Sequence, residues 1–278
     1  GKNEFFALIE SIFMEDAHGR KQCRISVTDI SGRKRAEKIT RLYMEKLEQS
    51  NRQLQEFAFI ASHDLQEPLR KIQTFGAQLK RKHSQALDQN GHDYLNRMVN
   101  AAKRMSEMIR GLLDFSRVGT ETCRFGTVDL SGIIREVKDD LEILIKQSGA
   151  FIQVGRLPSI EADSNQMRRL FQNLVINAIK FHGEEKPSIK IYTVLDESGS
   201  HRIFVEDNGI GFDEQYAERI FILFQRLHGR STHDGTGMGL AICRKIVELH
   251  HGSITARSKP GQGSTFIITL PEKQPIES

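Results

Sequence analysis

The chain has 278 residues, enough for two domains that each bury a core. Its 38% hydrophobic and 27% charged content reads as a soluble globular protein, and a scattered net charge of +4 leaves no basic footprint for nucleic acid. Cys23, Cys123 and Cys243 lie far apart without a CxxC pair, which argues against disulfides and zinc and fits a reducing cytosol. No apolar run approaches the ~18 residues that span a bilayer and no signal peptide is visible. Opening at Gly1 without Met, the chain reads as a cytoplasmic fragment of something longer.

Residues 5–30 end in GRKQCRISVTDIS, a turn followed by a strand-like alternation too short to close a core alone. From Arg33 to Ser116 the texture is helical. Leu47, Leu54, Phe57, Ala61, Leu65, Pro68 and Ile72 recur at helical spacing, as do Leu95, Met98, Ala102, Met105, Ile109 and Leu112 after the polar break HSQALDQNGHD. Two long amphipathic helices joined by a short loop predict a helical hairpin. One apolar stripe per helix is more than a lone hairpin covers, so a dimeric four-helix bundle is expected; a solitary hairpin docked on the next domain is the alternative.

After SRVGTETCRFGTVDLS, helix-like runs at 130–146, 165–181 and 239–250 alternate with strand-like runs at 150–154, 188–195, 201–206 and 263–270. The pattern predicts an α/β domain closing near Pro271, its mixed or antiparallel sheet covered by helices on one face. The pair His250–His251 lacks partners at metal spacing and reads as surface histidines at a helix end.

Within FIASHDLQEPLRKIQ, residues 59–73, helical projection turns His63 away from the apolar stripe and toward solvent, with Glu67 and Arg70 near its side. Phe59 and Ile60 flank it, and exposed apolar residues beside an exposed histidine suggest a docking surface. Pro68 cannot donate to the carbonyl of Asp64, so a bend is expected there. A neutral imidazole nitrogen is a nucleophile, and Asp64 on the other ring N–H would raise its basicity. The same residues also suit a solvated histidine on a charged face.

NLVINAIKF carries Asn173, Asn177, Lys180 and Phe181 on one side of a helix whose other side holds Met167, Phe171, Leu174, Val175 and Ala178. Asparagine is a poor interior helix residue, and two on one stripe before a lysine suit a metal ion and phosphates as well as a plain solvated face. FVEDNGIGFD places Asp207 at the end of an apolar strand before a glycine-rich turn. HDGTGMGLAICRKIVELHHG sets Gly235, Gly237 and Gly239 just before an amphipathic helix, where backbone approaches a ligand and a helix N-terminus favours phosphate. The GxGxG spacing matches neither the dinucleotide fingerprint nor the GxxxxGK[ST] loop. KPGQGSTF adds a tight turn into a strand.

In order, these segments resemble the sensor histidine kinases of two-component signalling over nearly the whole chain. SHDLQEPLR looks like the H box, most like that of phytochrome-type kinases. NLVINAIKF is similar to the N box, DNGIGF to the first glycine box, IFILFQRLH to the F box, GTGMGLAI to the second glycine box and GQGSTF to the last. SVTDISGRKRAEK resembles the end of a PAS sensor domain and its exit linker.

The resemblance implies a PAS remnant at 1–32, a dimerisation and histidine-phosphotransfer hairpin at 33–118, and a Bergerat-type α/β sandwich binding ATP at 125–272. It implies that His63 attacks the γ-phosphorus of ATP with Asp64 as general base. Asn177 would coordinate Mg²⁺ beside Asn173, Lys180 would touch phosphate, Phe181 would pack by the base and Asp207 would receive the adenine amino group. Gly209, Gly211, Gly235, Thr236, Gly237, Gly239 and Thr265 fall in the nucleotide motifs, Arg226 would reach the γ-phosphate, and 228–234 would be a mobile lid. The implied partners are a second copy in a homodimer, an upstream sensor domain and the receiver domain of a response regulator, whose aspartate takes the phosphoryl group. Relatives among gyrase, MutL and heat-shock-chaperone ATPases carry a glutamate base where this chain has Asn173, and they lack an H-box hairpin. A second alternative is a scaffold that binds ATP and transfers nothing. Glu67 stands where many relatives carry Thr or Asn, which puts phosphatase activity in doubt.

Overall fold

The computed structural model describes residues 6–15, 21–118, 123–195, 200–227 and 236–275. The chain divides into two compact units, Gly1–Phe57 and Ala58–Ser278. In the first, strands β1 (Ala7–Glu15) and β2 (Lys21–Asp29) form an antiparallel ribbon with Ala7 opposite Asp29 and Glu15 opposite Lys21. The Asp29 carboxylate accepts the Ser31 N–H at 2.8 Å and starts α1 (Ser31–Lys82), while the buried Ser31 hydroxyl accepts the Phe6 N–H at 2.9 Å.

Helix α1 runs through Pro68 without interruption. A single 3₁₀ turn (Ser84–Ala86) leads to α2 (Gln89–Arg117), which begins where the Asp88 side chain accepts the Gly91 N–H at 2.7 Å. The two helices meet through a face different from the long-residue stripe. Within the hairpin, Ser62, Leu69 and Gly76 are the buried α1 positions among the described residues, seven residues apart, on the side of Leu95 and Ala102 of α2. A β-carbon at Gly76 would fall 2.3 Å from Val99 Cγ2, so glycine sets how closely the helices approach. Small residues (Ser62, Gly76, Ala102) alternate with Leu69 and Leu95 along the internal seam, whereas Leu65, Ile72, Phe75, Leu79, Met98 and Met105 remain exposed. No described helix is long and apolar enough to cross a membrane.

The α/β layer starts with β3 (Gly126–Asp129), followed by α3 (Leu130–Asp140), α4 (Glu142–Ser148), β4 (Phe151–Val154), β5 (Ser159–Ala162) and α5 (Ser164–Lys180). Next come β6 (Ser188–Leu195), β7 (His201–Asp207), α6 (Gly239–Leu249), β8 (Ser253–Ser258) and β9 (Ser264–Leu270). The main sheet has the order β4-β6-β7-β9-β8, parallel at β4–β6 and antiparallel elsewhere, and β3 pairs with β5 in a separate ribbon. Its helices lie on one face. Alternation sends Ile189, Ile191, Ile203, Val205, Phe266, Ile268 and Leu270 into the core, where they meet Leu170, Phe171 and Leu174 of α5 and Ile246 and Val247 of α6.

Three short strands, β3, β5 and β8, escaped the sequence reading, because four to six residues with mixed polarity leave little periodicity to detect. The run at 130–146 is two helices rather than one, broken at Leu141 and stopped by Gly149 with φ +66°. His250 corrects a second expectation: it is fully buried rather than on the surface. Its Nδ1 donates to the Ile246 carbonyl at 2.8 Å, and its Nε2 accepts the Asp163 N–H at 3.1 Å. Asp163 in turn caps α5 through Gln166 N–H and holds the Arg124 N–H at 3.0 Å. Burial pushes the His250 pKa down, consistent with a neutral ring that satisfies both bonds.

Candidate functional site

A cleft of about 900 Å³, counting its open mouth, lies where the end of α5, the start of α6 and the turn after β7 converge. Phe181, Ile210, Phe212, Ile220, Leu240 and Phe266 give it apolar walls, and Asn177, Asp207, Gln225, Arg226 and Ser264 bring polar groups to it. An apolar slot with a few convergent polar groups suits a flat heteroaromatic ligand with a charged tail.

Asp207 closes β7, at the level where the sheet ends. Its Oδ1 accepts the Gly209 N–H at 2.8 Å and the Ser264 N–H at 3.2 Å. Burial pushes the carboxyl above its usual range, and the two amide donors oppose that shift. A desolvated carboxylate at the bottom of an apolar cleft is costly unless a ligand donor uses it.

Along α5 the amphipathic spacing sends Asn173, Asn177 and Lys180 to one side while Met167, Phe171, Leu174 and Val175 enter the core. Asn177 lines the cleft. Asn173 does not; its Nδ2 donates back to the Arg169 carbonyl at 2.9 Å, and its Oδ1 lies 3.1 Å from where Gly239 would carry a β-carbon. Both N-box amides thus stand beside the start of α6. Lys180 Nζ sits 5.1 Å from the centre of the Phe181 ring, and Phe181 caps α5 and forms a cleft wall. Amide oxygens at this spot are hard donors of the kind Mg²⁺ accepts when phosphates complete its shell.

The glycines are required chiefly by the protein's own backbone. Gly211 has φ +60° and a β-carbon there would lie 2.2 Å from the Lys259 carbonyl; one at Gly209 would lie 2.5 Å from the Phe181 carbonyl. Gly237 and Gly239 line the cleft at the first turn of α6, which no side chain caps among the described residues. Its leading N–H groups are therefore left for a ligand. Thr236 is half-buried and lies outside the lining, and Gly235 and the 228–234 segment lie outside the described residues. Ser264 and Phe266 line the cleft, and alternation along β9 turns Thr265 to the other face, opposite Glu206 and Arg257. The signal for Ser264 was available in that period-two pattern. Ile220, Gln225 and Leu240 fall within the IFILFQRLH and GTGMGLAI motifs without being singled out there.

On the hairpin, Asp64 is exposed and Glu67 pairs with Lys71 at 2.7 Å. The side chains of Phe59 and His63 lie outside the described residues; the His63 backbone is helical. Gln73 bonds Ser106 at 2.9 Å and Lys80 bonds Asn96 at 3.0 Å. Carried up the hairpin, that antiparallel register brings 111–115 of α2 abreast of the turns bearing His63 and Asp64. The α/β layer clasps α2 at this level. A β-carbon at Gly111 would meet Met238 Cε at 2.1 Å, Lys245 Nζ donates to the Phe115 carbonyl at 2.9 Å, and Arg169 pairs with Asp114 at 3.3 Å. Met238 lies between two cleft glycines, so the cleft backs onto α2.

Residues 42–121 match HisKA, the His Kinase A (phospho-acceptor) domain, and residues 162–274 match HATPase_c, the histidine kinase-, DNA gyrase B- and HSP90-like ATPase family. The chain belongs to the sensor histidine kinases. It is 42% identical over 239 residues to the phytochrome-like protein Cph1 of Synechocystis sp., covering 86% of this chain and 32% of the relative. It is 40% identical over 231 residues to cyanobacterial phytochrome A of Nostoc sp., covering 81% and 29%. The chain therefore spans about a third of the length of those relatives. Among solved structures, histidine kinase ThkA in complex with the response regulator protein TrrA superposes with TM-score 0.55 and 26% identity, covering 95% of this chain and 74% of that one. Full-length ShkA in complex with AMPPNP shares the fold, with TM-score 0.59, 24% identity and 79% and 46% coverage.

Proposed function

We propose that the chain autophosphorylates on His63 with ATP and passes the phosphoryl group to an aspartate of a response regulator. In this reading residues 33–118 form the homodimeric phosphotransfer hairpin, 125–272 the ATP-binding domain, and 1–32 the end of a PAS domain. The observation that carries it is the desolvated carboxylate of Asp207 at the base of an apolar cleft whose far side is the uncapped start of α6. Adenine enters between Phe181 and the apolar wall with its amino group on Asp207. The phosphates follow to the N–H groups of Gly237 and Gly239, with Lys180, Arg226 and Thr236 offering further contacts. Asn177 and Asn173 supply amide oxygens for Mg²⁺, which when bound neutralises phosphate charge. A ring nitrogen of His63 forms the new bond to the γ-phosphorus, the bond to ADP breaks, and Asp64 receives the ring proton.

The exposed apolar stripe of the hairpin supports a second copy as its cover, and the kinase–regulator complex of ThkA supports a receiver domain as the recipient. The test is incubation with γ-labelled ATP. His63→Gln abolishes acid-labile labelling while ATP affinity stays within a few-fold of wild type. Persistent labelling of the variant defeats the assignment, and ATP binding without any labelling of the wild type favours a scaffold.

A further inference from the structure

We infer that Arg244 is a positioning residue for the nucleotide, acting from outside the cleft by holding one cleft wall in place. The inference rests on reading the cleft as the ATP site. The wall in question is the segment from Glu218 to Leu227, of which Ile220, Gln225, Arg226 and Leu227 face the cleft. It contains only a 3₁₀ turn, Arg219–Phe221, so regular structure does little to hold it.

Beside the burial of Ile220 and Phe221 in the core, two contacts tie it to α6 and the turn before it. At the far end the Phe224 N–H donates to the Gly237 carbonyl at 3.1 Å, with Phe224 itself at φ +62°, a left-handed conformation that a phenylalanine adopts only when its surroundings impose it. At the near end the anchor is Arg244, the sixth residue of α6. Its guanidinium carbon lies 4.5 Å from the centre of the Phe221 ring, and its Nη2 donates to Glu218 Oε2 at 2.7 Å. Phe221 is buried and meets Phe266 edge-on at 6.5 Å, and Phe266 is part of the cleft lining. Arg244 thus braces the wall against α6 through a stacked ring and an ion pair, two contacts that one planar guanidinium makes together and an ammonium does not.

The arrangement is unlike a core contact. The Glu218 side chain is 77% exposed and that of Arg244 29% exposed, so the ion pair contributes little to global stability. What it restrains is where Gln225 and Arg226 stand relative to the start of α6.

The experiment compares the wild-type chain with Arg244→Ala, Arg244→Lys and Glu218→Gln, measuring ATP binding by calorimetry and initial autophosphorylation rates across ATP concentrations. Arg244→Ala raises KM and Kd for ATP roughly fivefold, the equivalent of about 1 kcal/mol, while kcat at saturating ATP stays within about twofold. Arg244→Lys recovers part of the loss, and Glu218→Gln gives a smaller rise that does not add to that of Arg244→Ala. A wild-type KM in the alanine variant, or a fall in kcat with KM unchanged, overturns the inference while leaving the cleft assignment intact. Should the alanine variant unfold, Arg244→Lys and Glu218→Gln decide the matter in the same way. A wild-type chain that binds no ATP overturns the reading of the cleft and this inference with it.

Discussion

Replacing Asp207 by asparagine separates stability from ligand recognition at one half-buried position. Asparagine keeps an oxygen where Oδ1 accepts the Gly209 and Ser264 N–H groups at 2.8 and 3.2 Å, so the turn after β7 keeps its hydrogen bonds. Burial raises the carboxyl pKa, so the folded form holds its proton more tightly than the unfolded one. That group adds stability below its ordinary value of 3.8 and forfeits it as the pH rises through the raised value. Above that raised value the ionised Asp207 is therefore a burden, and there Asp207→Asn leaves the ligand-free protein at least as stable as wild type. Recognition moves the other way. The second carboxylate oxygen becomes an NH₂ that meets the adenine amino group donor to donor. Loss of a charge-assisted hydrogen bond costs about 1.5–3 kcal/mol, or roughly 10- to 150-fold in Kd. Calorimetry with ATP and with purine riboside triphosphate, which lacks the amino group, reads this directly. Wild type discriminates between the two nucleotides and the variant does not. Equal losses for both, or wild-type ATP affinity in the variant, refute the adenine role.

Three further outcomes follow from the same geometry. Gly211→Ala sets a β-carbon 2.2 Å from the Lys259 carbonyl at φ +60° and lowers the unfolding free energy by about 2–4 kcal/mol in urea; an unchanged midpoint contradicts the packing. His250, whose pKa burial holds below 6.5, contributes stability above that value that is lost as the pH falls, with Asp163 opposing the shift and His251 reinforcing it. His250→Gln, donating and accepting without titrating, flattens the decline in unfolding free energy between pH 7.5 and 5.5, and parallel curves for the two proteins defeat the idea. Glu67→Thr speeds dephosphorylation of the response regulator, since a carboxylate ~5 Å from a phospho-aspartate costs between about 0.8 and 3 kcal/mol depending on local dielectric. The Glu67–Lys71 pair at 2.7 Å draws the effect toward the lower figure, and a slower threonine variant would identify Glu67 as a base instead.

Sequence by itself determined the two long helices, the alternation that follows and the order of the nucleotide motifs, because each is written in local spacing. The N-box stripe of α5 is an example: Asn173, Asn177 and Lys180 recur on one side of the helix whatever surrounds it. Asp207 was legible for the same reason, as an acid at the end of an apolar strand before glycines. Tertiary structure alone decided what depends on a partner distant along the chain. Spacing marked the long-residue stripe of α1 as the buried one, yet within the chain Ser62, Leu69 and Gly76 make the seam, and the missing side chain of Gly76 sets the close approach to Val99. His250 looked like a surface residue until the Asp163 N–H, 87 positions away, supplied the bond that makes its burial tolerable. Arg244 reads as one more charge on an amphipathic helix, and only the fold sets Phe221 and Glu218 against it. Local periodicity reports which face of an element is apolar; which group meets that face is settled by the backbone path between them.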